Sequence, residues 1–305
     1  MSVQVKVIAI SGSGRSGSTL LGLLLSQTHG TFNLGQARHL WSAWGDDAPC
    51  SCGNGLKQCT VYGTLVSDLL SSSAFATPRA AHVAGNAFFN DAAAVTDWSD
   101  KAARQKLAAR HAHYLALLRN LLVGLQQKTG ASCFVDSSKT PEMALAFSML
   151  DEVDFYVVNL LRDPRAVACS WYKKSPRLLL LWKNMRIWRN RQIRLGSWAA
   201  ALPGRFAELK YEDFAKQPRD KVSELVALCR NEDTKAFFTG PDTVNLSWEN
   251  QHLFPPANEA VLSERKEKVR ITPAESWRSP QNAKLHRLAM LATWPVGRKY
   301  YPERL

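Results

Sequence analysis

A glycine-rich loop between an apolar run and a helical pattern constrains the fold of this chain most. Residues 3–10 are apolar and rich in β-branched side chains, and Gly12-Ser-Gly-Arg-Ser-Gly17 follows them. Residues 19–27 then predict a helix that opens directly after the loop. Glycines let such a loop curl its backbone N–H groups inward, and a helix N-terminus favours negative charge. The sequence predicts an anion-binding loop here, with a purely structural turn as the alternative.

Further predicted strands follow along the chain. Short apolar runs at residues 133–135 and 155–161 predict strands, and the region around Leu209 predicts another. Predicted helices separate these strands. Such alternation is typical of a parallel sheet covered by helices on both faces, so we expect a three-layer αβα fold of the α/β class.

The helical segments suggest how the chain is organised. Apolar residues recur at helical spacing over residues 101–127, and residues 220–229 predict another helix. Residues 71–97 are rich in Ser and Ala, which predicts a mobile connection with short helices. We expect a single domain over residues 1–305, with a mobile insertion around residues 36–100.

Basic side chains are in excess and unevenly placed. The formal net charge is +13, with +4 in residues 1–150 and +9 in residues 151–305. Residues 173–194 hold eight basic residues and no acidic one, with Trp182 and Trp188 at helical spacing. This segment predicts a helix whose basic face is either solvated or one wall of an anion-binding cleft. Nucleic acid, a membrane surface or a polyanionic small ligand would each match such a charge.

Composition excludes some classes of protein. Hydrophobic residues make up 46% of the chain, which excludes an intrinsically disordered protein. The aliphatic runs are much shorter than the roughly 20 residues that span a bilayer. The N-terminus has no charged leader or signal cleavage pattern. We therefore expect a soluble protein of the cytoplasm.

A second candidate anion site lies at the end of the strand predicted over residues 155–161. Arg162 follows this strand, Pro164 suits a helix start, and Ser170 falls early in that helix. An arginine at a strand end and a hydroxyl on the next helix can clamp a phosphate. The alternative is an Arg–Asp pair that closes an ordinary turn between strand and helix.

The glycine loop differs from that of a nucleoside triphosphatase. Its spacing matches, but Ser18 stands where such a loop has lysine, and Arg15 is its only cation. Asp136, at a predicted strand end, could still serve as a carboxylate for Mg²⁺. A P-loop small-molecule kinase therefore remains an alternative.

Together the two motifs resemble those of the sulfotransferase superfamily that uses 3′-phosphoadenosine 5′-phosphosulfate (PAPS). The resemblance lies at residues 15–20 (Arg-Ser-Gly-Ser-Thr-Leu) and at residues 162–170 (Arg-Asp-Pro-Arg with the later Ser). Residues 135–139, 210–214 and 269–278 are similar to the soluble bacterial-type branch. The resemblance implies the P-loop nucleotide-hydrolase-like sulfotransferase fold and a sulfuryl transfer that needs no metal.

The resemblance also implies a donor site for PAPS and for its product PAP. The expected donor-binding residues are Gly14, Arg15, Ser16, Gly17, Ser18, Thr19, Arg162, Ser170, Tyr211, Lys268 and Arg270. Arg15 and Lys139 are the expected catalytic cations, stabilising charge on the sulfuryl and leaving oxygens. A solvated lysine at the strand end is the alternative for Lys139, and a plain charged loop is the alternative for residues 265–270.

The general base is unresolved in the sequence. Where the bacterial-type branch usually has Gly-Glu, this chain has Gly35-Gln36, and an amide cannot take a proton. Three interpretations remain open. Gln36 replaces a catalytic Glu in a variant chain, His39 acts as the base, or the acceptor is a nitrogen nucleophile that Gln36 only orients.

Three cysteines lie close together in sequence, at Cys50, Cys52 and Cys59. Three thiols without a Cys-x2-Cys pair argue against zinc, and we expect no metal site. A disulfide between Cys59 and either of the other two is possible, although free thiols are the default inside a cell. The resemblance places this segment in a substrate-side loop.

The acceptor cannot be identified from the sequence. We expect a small molecule sulfated on a hydroxyl or a nitrogen, in a tailoring step of specialised metabolism. Residues 36–60, 71–100 and 248–254, with the Trp182 and Trp188 helix, are expected to form its pocket. We expect neither nucleic acid nor a membrane as partner, and a homodimer remains open. A non-catalytic nucleotide- or nucleic-acid-binding protein is a further alternative.

Overall fold

The computed structural model describes residues 4–229, 237–257 and 264–303. Its centre is a sheet of five parallel strands in the order β2-β3-β1-β4-β5. These strands are β1 (Val5–Gly12), β2 (Thr31–Gly35), β3 (Cys133–Lys139), β4 (Val153–Leu161) and β5 (Phe206–Lys210). A separate antiparallel pair joins β6 (Thr243–Asn245) to β7 (Lys268–Arg270).

The described α-helices surround this sheet, and four short 3₁₀ turns accompany them. The helices are α1 (Ser18–Leu25), α2 (Leu40–Gly45), α3 (Tyr62–Ser72), α4 (Pro78–Ala92), α5 (Lys101–Arg110), α6 (Ala112–Thr129), α7 (Pro141–Phe147), α8 (Pro164–Lys174), α9 (Leu178–Ala199), α10 (Tyr211–Lys216), α11 (Pro218–Cys229), α12 (Ala283–Thr293) and α13 (Val296–Tyr300). The 3₁₀ turns are Ala37–His39, Leu56–Gln58, Ser276–Arg278 and Pro280–Asn282.

Strand β1 contributes to two separate hydrophobic cores. Successive side chains of a strand point to opposite faces of a sheet. Val5 and Val7 accordingly pack with α2 to α7 on one face, whereas Ile8 and Ile10 pack with α1 and α11 on the other. A strand buried on both faces reads as a continuous apolar run, which is the pattern at residues 3–10. The three-layer α/β fold is confirmed, although Val3 lies outside the described residues.

The structure corrects some predicted boundaries. The predicted helix over residues 101–127 is two helices, α5 and α6, which meet at His111. Residues 71–97 contain α4, one helix of 15 residues, where only short helices were predicted. Thr77 caps its N-terminus, and Phe88 and Phe89 bury its apolar face against Tyr114. None of the described helices combines the length and hydropathy that a membrane span requires.

All five strands of the sheet end at the same edge because they are parallel. Gly12, Gly35, Lys139, Leu161 and Lys210 are the last residues of the respective strands. In open α/β sheets, ligands bind outside this carboxyl edge. The glycine loop, Gln36, Lys139 and Arg162 each lie at or directly after one of these strand ends.

Candidate functional site

The glycine loop connects β1 to α1 and depends on two glycines with positive φ. Gly12 has φ of +136°, and a Cβ there would collide with the carbonyl oxygen of Leu160 on the neighbouring strand. Gly17 has φ of +87°, and its Cβ would lie 2.9 Å from the ring of Tyr211. Only glycine fits both the backbone conformation and the space. The loop is therefore held tightly against β4 and α10.

The backbone of the loop is arranged to receive an anion. The first N–H groups of a helix have no partner within the helix. Among the described residues, none accepts a hydrogen bond from the N–H groups of Arg15, Ser16 or Gly17. The hydroxyls of Ser13 and Ser16 hydrogen-bond to each other at 2.9 Å beneath the loop. Free N–H groups at a helix N-terminus are the usual donors to a phosphate or sulfate.

The two predicted anion motifs meet in the structure. A terminal nitrogen of Arg162 donates to the backbone oxygen of Arg15 at 2.7 Å, and Nε of Arg15 donates to Oγ of Ser170 at 2.9 Å. The guanidinium of Arg162 also lies over the ring of Tyr211, 4.2 Å from its centroid. Nε of Arg162 is buried and has no hydrogen-bond partner among the described residues. This unpaired donor beside the loop fits a bound anion.

Lys139 ends β3 in a left-handed backbone conformation, with φ of +66°. Burial lowers the pKa of its ammonium to about 8; Asp136 opposes this shift, while Arg191 and Arg15 add to it. A lysine with such a pKa is still mostly protonated at neutral pH. It supplies a positive charge on the cleft wall, and the alternative of a plainly solvated lysine is not supported.

Asp136 is engaged by its own surroundings. Its carboxylate accepts hydrogen bonds from the N–H of Ala37 at 3.0 Å and from the N–H and hydroxyl of Ser138 at 3.1 and 2.7 Å. Burial raises the pKa of this carboxyl to about 6, although these hydrogen bonds oppose the shift. Asp136 therefore ties the turn that follows β2 to β3, and so fixes the position of Gln36.

A cleft of about 710 Å³ opens over this edge of the sheet. Its lining includes six cationic side chains and no acidic one among the described residues. The cations are Arg15, Arg38, Lys139, Lys173, Lys174 and Arg191. Three of these six come from the basic segment of residues 173–194, so part of that segment forms a wall of the cleft. The sequence left the role of this segment open.

Arg191 shows how α9 is joined to the loop. Its guanidinium donates to the backbone oxygen of Gly12 at 3.1 Å. Burial lowers the pKa of Arg191 to about 10, so the side chain stays charged over the physiological range. On the other side of the loop, the indole of Trp171 leaves no room for a side chain at Gly14, where a Cβ would lie 2.9 Å away.

Gln36 and His39 line the same cleft. Gln36 is 5% exposed and precedes the Ala37–His39 turn. Burial lowers the pKa of His39 to about 4, and the charges of Arg38, Lys139 and His82 add to this shift. The imidazole is therefore neutral at physiological pH, and the same surroundings make it a weak base.

Lys268 and Arg270 are not brought to the described cleft. Both lie on β7, and Arg270 donates to the carboxylate of Asp242 at 2.8 Å. The side chain of Arg270 is 74% exposed. Their assignment to the donor site stays a prediction. Gly14, Gly17, Ser18, Thr19 and Ser170 do line the cleft, while Ser16, Arg162 and Tyr211 support the loop from behind.

Several residues at the cleft were not singled out from the sequence. Arg38 lies over the ring of Phe89, 4.8 Å from its centroid, and Thr140 presents a buried hydroxyl without a described partner. Neither position has a motif that would reveal it. Lys173, Lys174 and Arg191 did carry a signal, which was the acid-free basic run.

Comparisons with known proteins agree with this geometry. A family model described as "Sulfotransferase family" matches residues 8–234. No curated protein matches the chain. Among solved structures, the sulfotransferase domain of the Synechococcus PCC 7002 olefin synthase has 17% identity and a TM-score of 0.53, and the alignment covers 100% of this chain and 97% of that one.

Two further solved structures are similar at lower scores. The sulfotransferase domain from the curacin biosynthetic pathway has 13% identity and a TM-score of 0.44, with coverage of 96% and 99%. A sulfotransferase from Mycobacterium avium has 15% identity and a TM-score of 0.45, with coverage of 77% and 66%. Of these three structures, only the olefin synthase domain has a TM-score above 0.5, and its similarity supports the fold.

Proposed function

Because the chain belongs to the sulfotransferase family, we propose that it transfers a sulfuryl group from PAPS to a hydroxyl or a nitrogen of a small-molecule acceptor. The observation that carries the proposal is that the glycine loop and Lys139 line one cleft with no acidic side chain among its described lining residues, while Arg162 holds the loop from behind. A donor with a phosphosulfate at one end and a 3′-phosphate at the other requires separate cationic contacts for each. Arg15 with the loop, and Arg162 with Ser170, are the candidates for these two contacts.

In this proposal, the glycine loop and Arg162 bind PAPS. The free N–H groups of the loop, together with Arg15, suit the 5′-phosphosulfate. Ser170 and the unpaired Nε of Arg162 suit the 3′-phosphate, as the sequence resemblance implies. When bound, PAPS would supply the sulfuryl group and a phosphate oxygen as leaving group. Arg15 and Lys139 would stabilise the negative charge that develops on these oxygens.

At the acceptor end, His39 is the group we assign to proton acceptance. Its imidazole is neutral, and no carboxylate lines the described cleft. Gln36 can hydrogen-bond an acceptor hydroxyl or amine and so orient it. The tailoring role in specialised metabolism is proposed on the sequence resemblance alone.

The kinase alternative is not favoured. A P-loop kinase uses a loop lysine on the transferred phosphate, and this chain has Ser18 there. Asp136, the candidate Mg²⁺ carboxylate, instead accepts three hydrogen bonds from its own neighbourhood.

PAP should stabilise the chain more than AMP does, because AMP lacks only the 3′-phosphate. At about 100 times its Kd, PAP is expected to raise Tm by roughly 5 °C. Thermal unfolding with each nucleotide, with and without added Mg²⁺, measures this. We expect the same PAP shift in both conditions. Stabilisation by ATP with Mg²⁺ and none by PAP would instead support the kinase.

His39→Asn should lower kcat on a hydroxyl acceptor by about 10²-fold, the low end for loss of a general base, because the pKa of His39 is depressed. Gln36→Glu is the companion variant, since it restores the carboxylate usual in the related branch. If His39 is the base, Gln36→Glu should partly rescue His39→Asn. Steady-state kinetics with a phenol and an amine acceptor compare the variants. An unchanged kcat in His39→Asn on both acceptors would show that His39 is not the general base.

A further inference from the structure

Three cysteines and one histidine converge at a position that the proposed reaction does not use. The Sγ atoms of Cys50, Cys52 and Cys59 and a ring nitrogen of His252 all lie within 4.8 Å of one another. Cys50, Cys59 and His252 are buried, and Cys52 is half-buried. All three cysteines are free thiols. The sequence argued against zinc because only three ligands lay close along the chain, and the structure supplies the fourth from 193 residues away.

We propose that these four residues form a structural Zn²⁺ site of the Cys₃His type. Zinc prefers four ligands in a tetrahedron, with Zn–S bonds of about 2.3 Å and Zn–N bonds of about 2.0–2.1 Å. Two sulfur ligands in that geometry lie about 3.8 Å apart, and a sulfur and a nitrogen lie about 3.6 Å apart.

Three distances within the cluster lie close to this geometry. Sγ of Cys50 lies 3.8 Å from Sγ of Cys59. Nδ1 of His252 lies 3.2 Å from Sγ of Cys59 and 4.0 Å from Sγ of Cys50, on either side of the expected value. The sulfur–sulfur distance is far from the roughly 2.05 Å of a disulfide. The side chains are thus close enough to surround an ion, and Cys50 and Cys59 are too far apart for a disulfide.

The backbone around the cysteines is built to present their sulfur atoms together. The N–H of Cys50 donates to the oxygen of Asn54 at 2.8 Å, and the N–H of Gly53 donates back to Cys50 at 2.9 Å. Gly53 has φ of +101°, which lets the chain reverse directly after Cys52. The N–H of Tyr62 points at Sγ of Cys59 at 3.5 Å. An N–H donor to sulfur favours the thiolate that a metal requires.

Hydrogen bonds also tie the segment around His252 to the loop that holds the cysteines. The N–H of Ser51 donates to the oxygen of Leu253 at 2.7 Å, and the N–H of Leu253 donates to Oγ of Ser51 at 2.8 Å. Oγ of Ser51 donates to the oxygen of Gln251 at 2.7 Å. Phe32 stacks on the ring of His252, with centroids 6.0 Å apart. These hydrogen bonds and the contact with Phe32 therefore hold His252 beside the thiols.

The site would be structural, since four protein ligands leave no open position for a substrate. It joins the loop of residues 49–59 to the segment 251–257. That segment reaches the cleft, because Pro256 and Ala257 line it, and Leu253 packs against Gly35 beside Gln36. Zn²⁺ would displace the three thiol protons on binding and fasten this wall of the cleft to the core. The inference does not depend on which reaction the cleft performs.

Metal content tests the proposal directly. The full chain is produced in zinc-supplemented medium, purified without chelator and analysed by elemental mass spectrometry. We expect about one zinc ion per chain, falling below about 0.1 in Cys59→Ser and in His252→Ala. His252→Cys should keep the metal, because it replaces one zinc ligand with another. Cys229→Ser is the matched control, a buried thiol in a different core cluster, and it should also keep the metal.

A second measurement needs no variant that has to fold. Replacing zinc in the wild-type chain with Co²⁺ should give the visible bands of tetrahedral cobalt and a thiolate-to-metal absorption in the near ultraviolet. A strong chelator should lower Tm, and added Zn²⁺ should restore it. Wild-type chain without zinc and without the cobalt spectrum would overturn the proposal. So would a disulfide between two of the three cysteines in peptide mapping of protein purified under air-free conditions.

Discussion

Lys139→Ala is expected to lower kcat for sulfuryl transfer by about 10²- to 10³-fold, the range seen when one charge-stabilising group is removed from an active site. Lys139 lies on the cleft wall with Arg15, and both would face the charge that develops as the sulfuryl group leaves. Lys139 would stabilise charge mainly in the transition state. The affinity for PAP should therefore change much less than kcat.

The pH dependence of Lys139 provides an independent check. Its pKa of about 8 means that the ammonium loses its proton as pH rises through about 8. The form that stabilises negative charge is the protonated one, so kcat/KM should fall with rising pH above that value. Lys139→Arg should lose this fall, because a guanidinium stays charged.

Lys101→Ala is the control for this prediction. Lys101 begins α5, is exposed and does not line the described cleft. Full activity in Lys101→Ala, together with a large loss in Lys139→Ala, would show that the loss of activity comes from the cleft and not from removing any lysine. If Lys139→Ala kept more than about a third of the wild-type kcat, its catalytic role would be wrong.

Arg162→Ala should weaken PAP binding by about 2–3 kcal/mol, roughly 30- to 150-fold, as expected for loss of a charge-assisted contact to phosphate. Titration calorimetry with PAP and with AMP separates two causes. If Arg162 contacts the 3′-phosphate, PAP affinity falls and AMP affinity changes little. An equal loss for both nucleotides would mean that Arg162 acts through the loop, where it donates to the oxygen of Arg15.

Arg298→Ala is the matched control for Arg162→Ala. Arg298 is an exposed arginine in α13 that lies outside the described cleft lining, and its removal should leave PAP affinity unchanged. Circular dichroism of both variants checks that the fold is intact. Unchanged PAP affinity in a folded Arg162→Ala variant would refute the 3′-phosphate assignment.

Local signals made four of the five strands of the sheet, and the glycine loop, predictable from sequence. Strand β1, its glycines and α1 are consecutive in the chain, so backbone geometry and apolar pattern coincide within 25 residues. Arg162 and Ser170 were found for the same reason, since a strand end and the following helix lie eight residues apart. Arg162 and Ser170 contact Arg15, which is about 150 residues away in sequence. That the two motifs lie together was predicted from the family resemblance and not from local pattern.

Features that depend on long-range packing were missed. Strand β2 has only five residues, and its polar Asn33 interrupts the apolar pattern that predicts a strand. His252 was not recognised as a partner of the cysteines, because a lone histidine carries no sequence signal for a contact across 193 residues. Arg38 lies at the cleft in a turn that Asp136 and Ser138 of β3 hold through backbone N–H groups, which is a contact between distant parts of the chain.

The absence of acidic side chains from the described cleft also bears on how a catalytic cycle would end. PAP keeps both phosphate ends of the donor, so each cation that attracts PAPS also retains the product. Such contacts strengthen the binding of donor and product alike and do not by themselves accelerate the chemical step. Under the proposed function, the departure of PAP from this positively charged cleft would compete with chemistry for control of turnover.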